Sequence, residues 1–149
     1  MGKYKNLIYV VVGILIIGVV GTLIYNANKK TKTSFDELLS NSLKGKEITD
    51  VTLQEYGGEK RVIHTESKEE IDAILKLYSD IELIAEDSPA PSEKFAVHLT
   101  INSGNDIVLG LVVTDTGSAD TYVFEKSKGD SYRITNQFDF KSVHSLFEK

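Results

Sequence analysis

Three kinds of side chain in this sequence could do chemistry: an aspartate in a glycine-containing turn, three histidines, and several further turn aspartates. Asp115 follows the apolar stretch Ile107 to Val113 and precedes Thr116 and Gly117, so a strand would deliver a carboxylate into a tight turn. Such a carboxylate can work as an acid or base when a second acid shares its proton. His64 and His98 both fall in alternating, strand-like stretches, and as cross-strand neighbours they could bind a metal ion with nearby acids. His144 has no second histidine at ligand spacing. Asp106, Asp115, Asp120 and Asp130 lack the alternating acids of a calcium loop. Gly57-Gly58 opens no helix and so makes no phosphate cradle. The absence of cysteine removes thiolate metal sites, cysteine nucleophiles, disulfides and the lipidated cysteine of a bacterial lipoprotein.

The segment Leu111 to Val123, LVVTDTGSADTYV, resembles the active-site loop of pepsin-like and retroviral aspartic peptidases. The resemblance implies Asp115 as catalytic carboxylate, sharing a proton with a neighbouring acid, with Thr116 and Gly117 shaping the turn. The chain departs from that family in three ways. Thr114 stands where the family carries an apolar residue, no second such loop exists, and only 32 residues follow Gly117. Aspartate, glycine and serine also suit a plain strand-to-strand turn, which is the reading adopted. The chain is therefore expected to be non-enzymatic, without cofactor or metal. Asp115 is the one candidate for catalysis, and His64 and His98 are the candidates for metal.

Charge is distributed unevenly. Residues 1–32 carry five lysines and no acid, which leaves residues 33–149 with all 22 acids against twelve bases, a formal balance of −10. A domain so acidic repels nucleic acid and anionic surface polymers, so no nucleic-acid partner is expected.

Leu7 to Tyr25 is a run of 19 uncharged residues. As a helix it would be about 28 Å long, close to the hydrocarbon thickness of a bilayer. Tyr9 and Tyr25 lie towards its ends, where amphipathic rings favour the interface. A cleaved signal peptide is the alternative, but Tyr25-Asn26-Ala27 is too bulky for cleavage, and Leu23 to Tyr25 carry the apolar run past Val19-Val20-Gly21. The expectation is an uncleaved single-pass anchor in the lipid bilayer, N-terminus cytoplasmic and C-terminal domain extracytoplasmic. Gly18 and Thr22 are four apart, a small-xxx-small pair through which a homodimer is conceivable.

The elements that would position any site follow from periodicity. Residues 26–33 read as a polar linker. Ser34 to Glu37 has the spacing of a capping box, opening a short helix with Phe35, Leu38, Leu39 and Leu43 on one face and Gly45 as its stop. Ile48 to Glu55 and Lys60 to Thr65 form a hairpin around Gly57-Gly58. Ser67 to Glu70 is a second capping box, and Ile71, Ile74, Leu75 and Tyr78 form an apolar stripe behind it. Ile81 to Ile84 is a short strand or an extended exit, and Glu86 to Glu93, with Pro89 and Pro91, is a loop. Strands are expected at Phe95 to Ile101, Ile107 to Val113, Tyr122 to Lys126 and Tyr132 to Thr135, with a closing helix over Asp139 to Phe147.

Together these elements predict an N-terminal membrane anchor and linker over residues 1–32. An α+β domain follows over residues 33–149, with an antiparallel sheet of about five to six strands and two or three helices packed on it. The lysine-flanked anchor, the cysteine-free lysine- and glutamate-rich tail, and the Ser67 to Tyr78 helix before a β-meander resemble small single-pass membrane-anchored proteins of Bacillus-like Gram-positive bacteria. That likeness implies an envelope location rather than an activity. The expectation for function is a non-enzymatic interaction or regulatory module that acts on another envelope or membrane protein by contact. A sensor dimerising through its anchor is the remaining alternative.

Overall fold

A computed structural model describes residues 14–22, 31–87, 95–122 and 129–148. The chain forms two compact units, residues 1–31 and 32–149. In the first, residues 14–22 form helix α1, with Ile14 to Ile17, Val19 and Val20 exposed. The rest of the expected 7–25 span lies outside the described residues. Among those described, no helix is long and apolar enough to cross a membrane. Thr22 Oγ1 donates to Gly18 O of the same helix at 2.6 Å.

The second unit is an α+β domain built on one antiparallel sheet of eight strands. These are β1 (Lys32–Ser34), β2 (Asp50–Tyr56), β3 (Val62–Thr65), β4 (Glu82–Ala85), β5 (Ala96–Ser103), β6 (Asp106–Thr114), β7 (Ser118–Tyr122) and β8 (Asp130–Ile134). Their order across the sheet is β1-β4-β8-β7-β6-β5-β2-β3, which leaves β1 and β3 as the two edges. Helices α2 (Phe35–Leu43), α3 (Lys68–Tyr78) and α4 (Phe140–Ser145) complete the domain, with a 3-10 turn at Leu146–Glu148.

The strand count exceeds the expected five to six. β1 lies where a linker was expected, because Thr33 finds a backbone partner in Leu83 of β4. Residues 82–85 form a full strand, β4, rather than an exit. β7 begins at Ser118, directly after the Asp115 turn, and not at Tyr122; the expected strand from there to Lys126 runs mostly outside the described residues. The Pro89–Pro91 loop also lies outside them.

Alternation sorts the strand residues between two faces. Across the inner face run three rows of registered neighbours: Val51, Ile101 and Leu109; Leu53, Leu99 and Leu111; Glu55, Val97, Val113, Ala119 and Tyr132. All of these side chains are buried. Phe35, Ile71, Ile74, Tyr78 and Val143 from the three helices join the same core. Tyr78 sits between Phe35 and Phe138, with ring centroids 5.6 Å away on each side.

Caps set the helix ends. Ser34 Oγ accepts from Glu37 N at 3.2 Å, as the first capping box requires, and Lys44 takes the left-handed conformation that stops α2. The second box works differently. Ser67 makes no side-chain cap bond; Thr65 Oγ1 instead accepts from Ser67 N at 3.1 Å and donates to Glu70 Oε2. Thr65 thus takes the place of Glu70 as acceptor for the N-cap amide and links that carboxylate to the helix start.

Candidate functional site

The β2–β3 hairpin brings together the densest set of functional groups in the domain. The alternation that buries Val51 and Leu53 also turns Glu55 inward, where it is 1% exposed. A buried carboxylate must be paired, and a guanidinium and an imidazole approach it. Arg61, just before β3, donates from Nε to Glu55 Oε2 at 2.7 Å. His144, on α4, places Nδ1 2.6 Å from Glu55 Oε1. The second contact is close but off line, and among the described residues neither Glu55 Oε1 nor His144 Nδ1 completes a hydrogen bond. Arg61 is thus the better-bonded partner.

Aromatic rings close over the cluster. Phe95 lies 5.8 Å from the His144 ring, centroid to centroid. The Arg61 guanidinium sits 5.7 Å above the Phe147 ring and donates from Nη1 to Phe147 O at 3.1 Å. One carboxylate and one guanidinium therefore tie the hairpin to the C-terminal helix by charge, hydrogen bond and ring contact.

A carboxylate against Nδ1 is the way a catalytic histidine is oriented. The other half of such a machine is a nucleophile at the imidazole, and among the described residues no hydroxyl is hydrogen-bonded to His144. The contacts present hold the hairpin against the C-terminal segment, as a clasp would.

The expected catalytic candidate does structural work. Asp115 is exposed in the β6–β7 turn, where its carboxylate accepts from Phe95 N at 3.3 Å and its own amide donates to Phe95 O at 3.0 Å. Thr114 and Thr116 hydroxyls pair at 2.8 Å, Gly117 N bonds Thr114 O at 3.1 Å, and Gly117 takes φ +82°. The loop is a self-bonded turn whose aspartate fastens the start of β5.

The two metal candidates do not meet. His64 faces Thr52, with Nδ1 3.0 Å from Thr52 Oγ1, whereas His98 faces Gln54 on the other side of β2. Two strand spacings, about 10 Å, separate them, far more than two ligands of one ion allow. No group of three metal-type ligands occurs among the described residues. Burial holds the His98 imidazole below its ordinary pKa.

The outer side of the same hairpin is bare. Tyr56 is 46% exposed and Val62 54%, and His64 beside them is more than half exposed. Glu55 N donates to Arg61 O, so Glu55 and Arg61 form a hydrogen-bonded pair of the ladder. Pair types alternate along an antiparallel ladder. Ile63 and Thr65 therefore turn their backbone groups towards β2, and Val62 and His64 turn theirs away from the sheet.

No family model, curated protein or solved structure matches this chain. Function has to be read from the geometry.

Sequence reasoning passed over Glu55 and Arg61 and left His144 without a role. One signal was present: a glutamate at the inward position of the alternating run Val51, Leu53, Glu55 demands a cation from elsewhere in the chain.

Proposed function

We propose that this chain is a membrane-tethered interaction or regulatory module of the bacterial envelope, acting by contact rather than by catalysis. The apolar run Leu7 to Tyr25 is the tether, with the acidic domain on the extracytoplasmic side. Exposed Ile14 to Ile17, Val19 and Val20 on α1 support a lipid environment for it.

The observation that carries the contact function is the asymmetry of the β2–β3 hairpin. Its inner side is clasped by Glu55, Arg61, His144 and Phe147. Its outer side presents Tyr56, Val62 and an unpaired strand edge. Proteins usually blunt such edges, and an open one beside exposed apolar side chains is suited to a partner. Asp115, the carboxylate the sequence offered for catalysis, is bonded to the Phe95 amide.

A photo-crosslinking residue at position 62, in native membranes, tests this directly. An adduct with another protein at 62, with none at the exposed α3 position 76, is the expected result. Equal labelling at both positions would remove the case for the hairpin. Recovery of the full-length chain in the supernatant after ultracentrifugation of lysed cells would remove the tether.

A further inference from the structure

We infer that β3 takes up an extended, basic and apolar segment of a protein partner as a ninth strand. This inference rests on the contact function proposed above and names how that contact is made. Arg61, Ile63 and Thr65 spend their backbone groups on β2, so Val62 and His64 present an outward N–H and C=O each. A strand laid alongside satisfies both residues without disturbing an existing bond. β3 carries no proline, no inward charge and no bulge, and its four residues keep the added ladder short.

Side chains specify the chemistry of the guest. On the outer face, exposed Val62 and His64 would lie beside every second residue of the added strand, with exposed Tyr56 one strand further in on β2. Charge comes from the domain as a whole: beside the strand Glu59 and the 80% exposed Glu66 stand with Lys60 and with Arg61, which is paired to Glu55, while residues 33–149 carry −10. Such a field favours a lysine- or arginine-bearing segment and rejects an acidic one. It also disfavours a second copy of the same domain. The clasp beneath holds the edge in its extended form before the guest arrives, which lowers the ordering cost of binding.

The test uses the full-length protein in nanodiscs and a fluorescent peptide of alternating lysine and valine as probe. Val62→Pro deletes one outward donor and leaves the β2 ladder untouched, because proline is tolerated where the N–H faces outward. The lysine–valine peptide is expected to bind, and Val62→Pro to weaken it at least tenfold with the circular dichroism unchanged. Backbone N-methylation of the peptide is expected to abolish binding, and a glutamate–valine peptide not to bind. Equal binding by Val62→Pro, or by the methylated peptide, overturns strand addition; equal binding of the acidic peptide overturns the charge assignment. Should Val62→Pro unfold, His64→Pro makes the same measurement at the other outward amide. A position-62 crosslink to a second copy of this chain overturns the committed partner. A crosslink to another protein without any peptide binding overturns the strand mode and leaves the contact function standing.

Discussion

Replacing Arg61 by methionine should cost the domain most of its margin of stability. Glu55 is 1% exposed and its Oε2 receives the only aligned charged hydrogen bond of the cluster, from Arg61 Nε at 2.7 Å. Methionine keeps the alkyl stem but strands the carboxylate, and breaking a buried ion pair from one side costs about 3–5 kcal/mol. The Phe147 carbonyl loses its donor as well. His144 contributes less because its 2.6 Å contact with Glu55 is off line, so His144→Ala should cost about 1–2 kcal/mol. The triple replacement Glu55→Leu, Arg61→Met, His144→Leu removes every charge together and should recover most of the loss. Urea unfolding of the full-length protein in detergent, read by near-UV circular dichroism, reports all three. With a slope of about 2 kcal/mol/M, Arg61→Met should lower the midpoint by about 2 M. A shift below about 0.3 M, or a triple variant weaker than Arg61→Met alone, would refute the clasp.

Tyr78→Phe is expected to stabilise the domain by about 1 kcal/mol, since the buried Tyr78 hydroxyl has no hydrogen-bond partner among the described residues and the ring contacts remain. Burial also raises the Tyr78 pKa above its usual 10.0, so the unfolded state alone ionises above that pH. Stability present below it is lost as pH climbs, and the phenylalanine variant should escape that part of the loss in an alkaline unfolding series. His98, whose folded pKa is lowered by burial, works the other way. Below 6.5 the unfolded chain takes up a proton that the folded one resists, so stability falls with acidification, and His98→Gln should flatten that limb of the pH–midpoint curve. Asp139 caps α4 through Ser142, whose hydroxyl and amide hold its carboxyl below the usual 3.8. Asp139→Ala should weaken the domain at neutral pH, and its difference from the parent should vanish as pH falls through the folded pKa in the same measurements.

Much of the architecture was readable in the sequence. The 3.6-residue stripe of Ile71, Ile74 and Tyr78 marks α3, and unbroken alternation marks β5 and β6, because each element buries one face against the same core. β1 was hidden: its three residues are polar and lysine-flanked, and its pairing is supplied by β4, some fifty positions away. β7 was hidden by its own sequence, because Ser118, Ala119 and Asp120 look like the tail of a turn and bury mainly small side chains. The hairpin clasp joins residues 55, 61, 144 and 147, a grouping that only tertiary contact creates. Glu55 announces the need for a cation but cannot say which one answers.

Strand order also sets a route for mechanical load. The chain enters the sheet at Lys32 on one border and offers Val62 on the other, seven strand spacings or about 34 Å apart along the sheet. Under the tether and partner proposed above, a pull between them would run crosswise through every ladder, unzipping rather than shearing it. The β1–β4 and β4–β8 ladders hold three residue pairs each, against four in β2–β3 and eight in β5–β6, so the border at Lys32 would be the first to peel and the middle of the sheet the last.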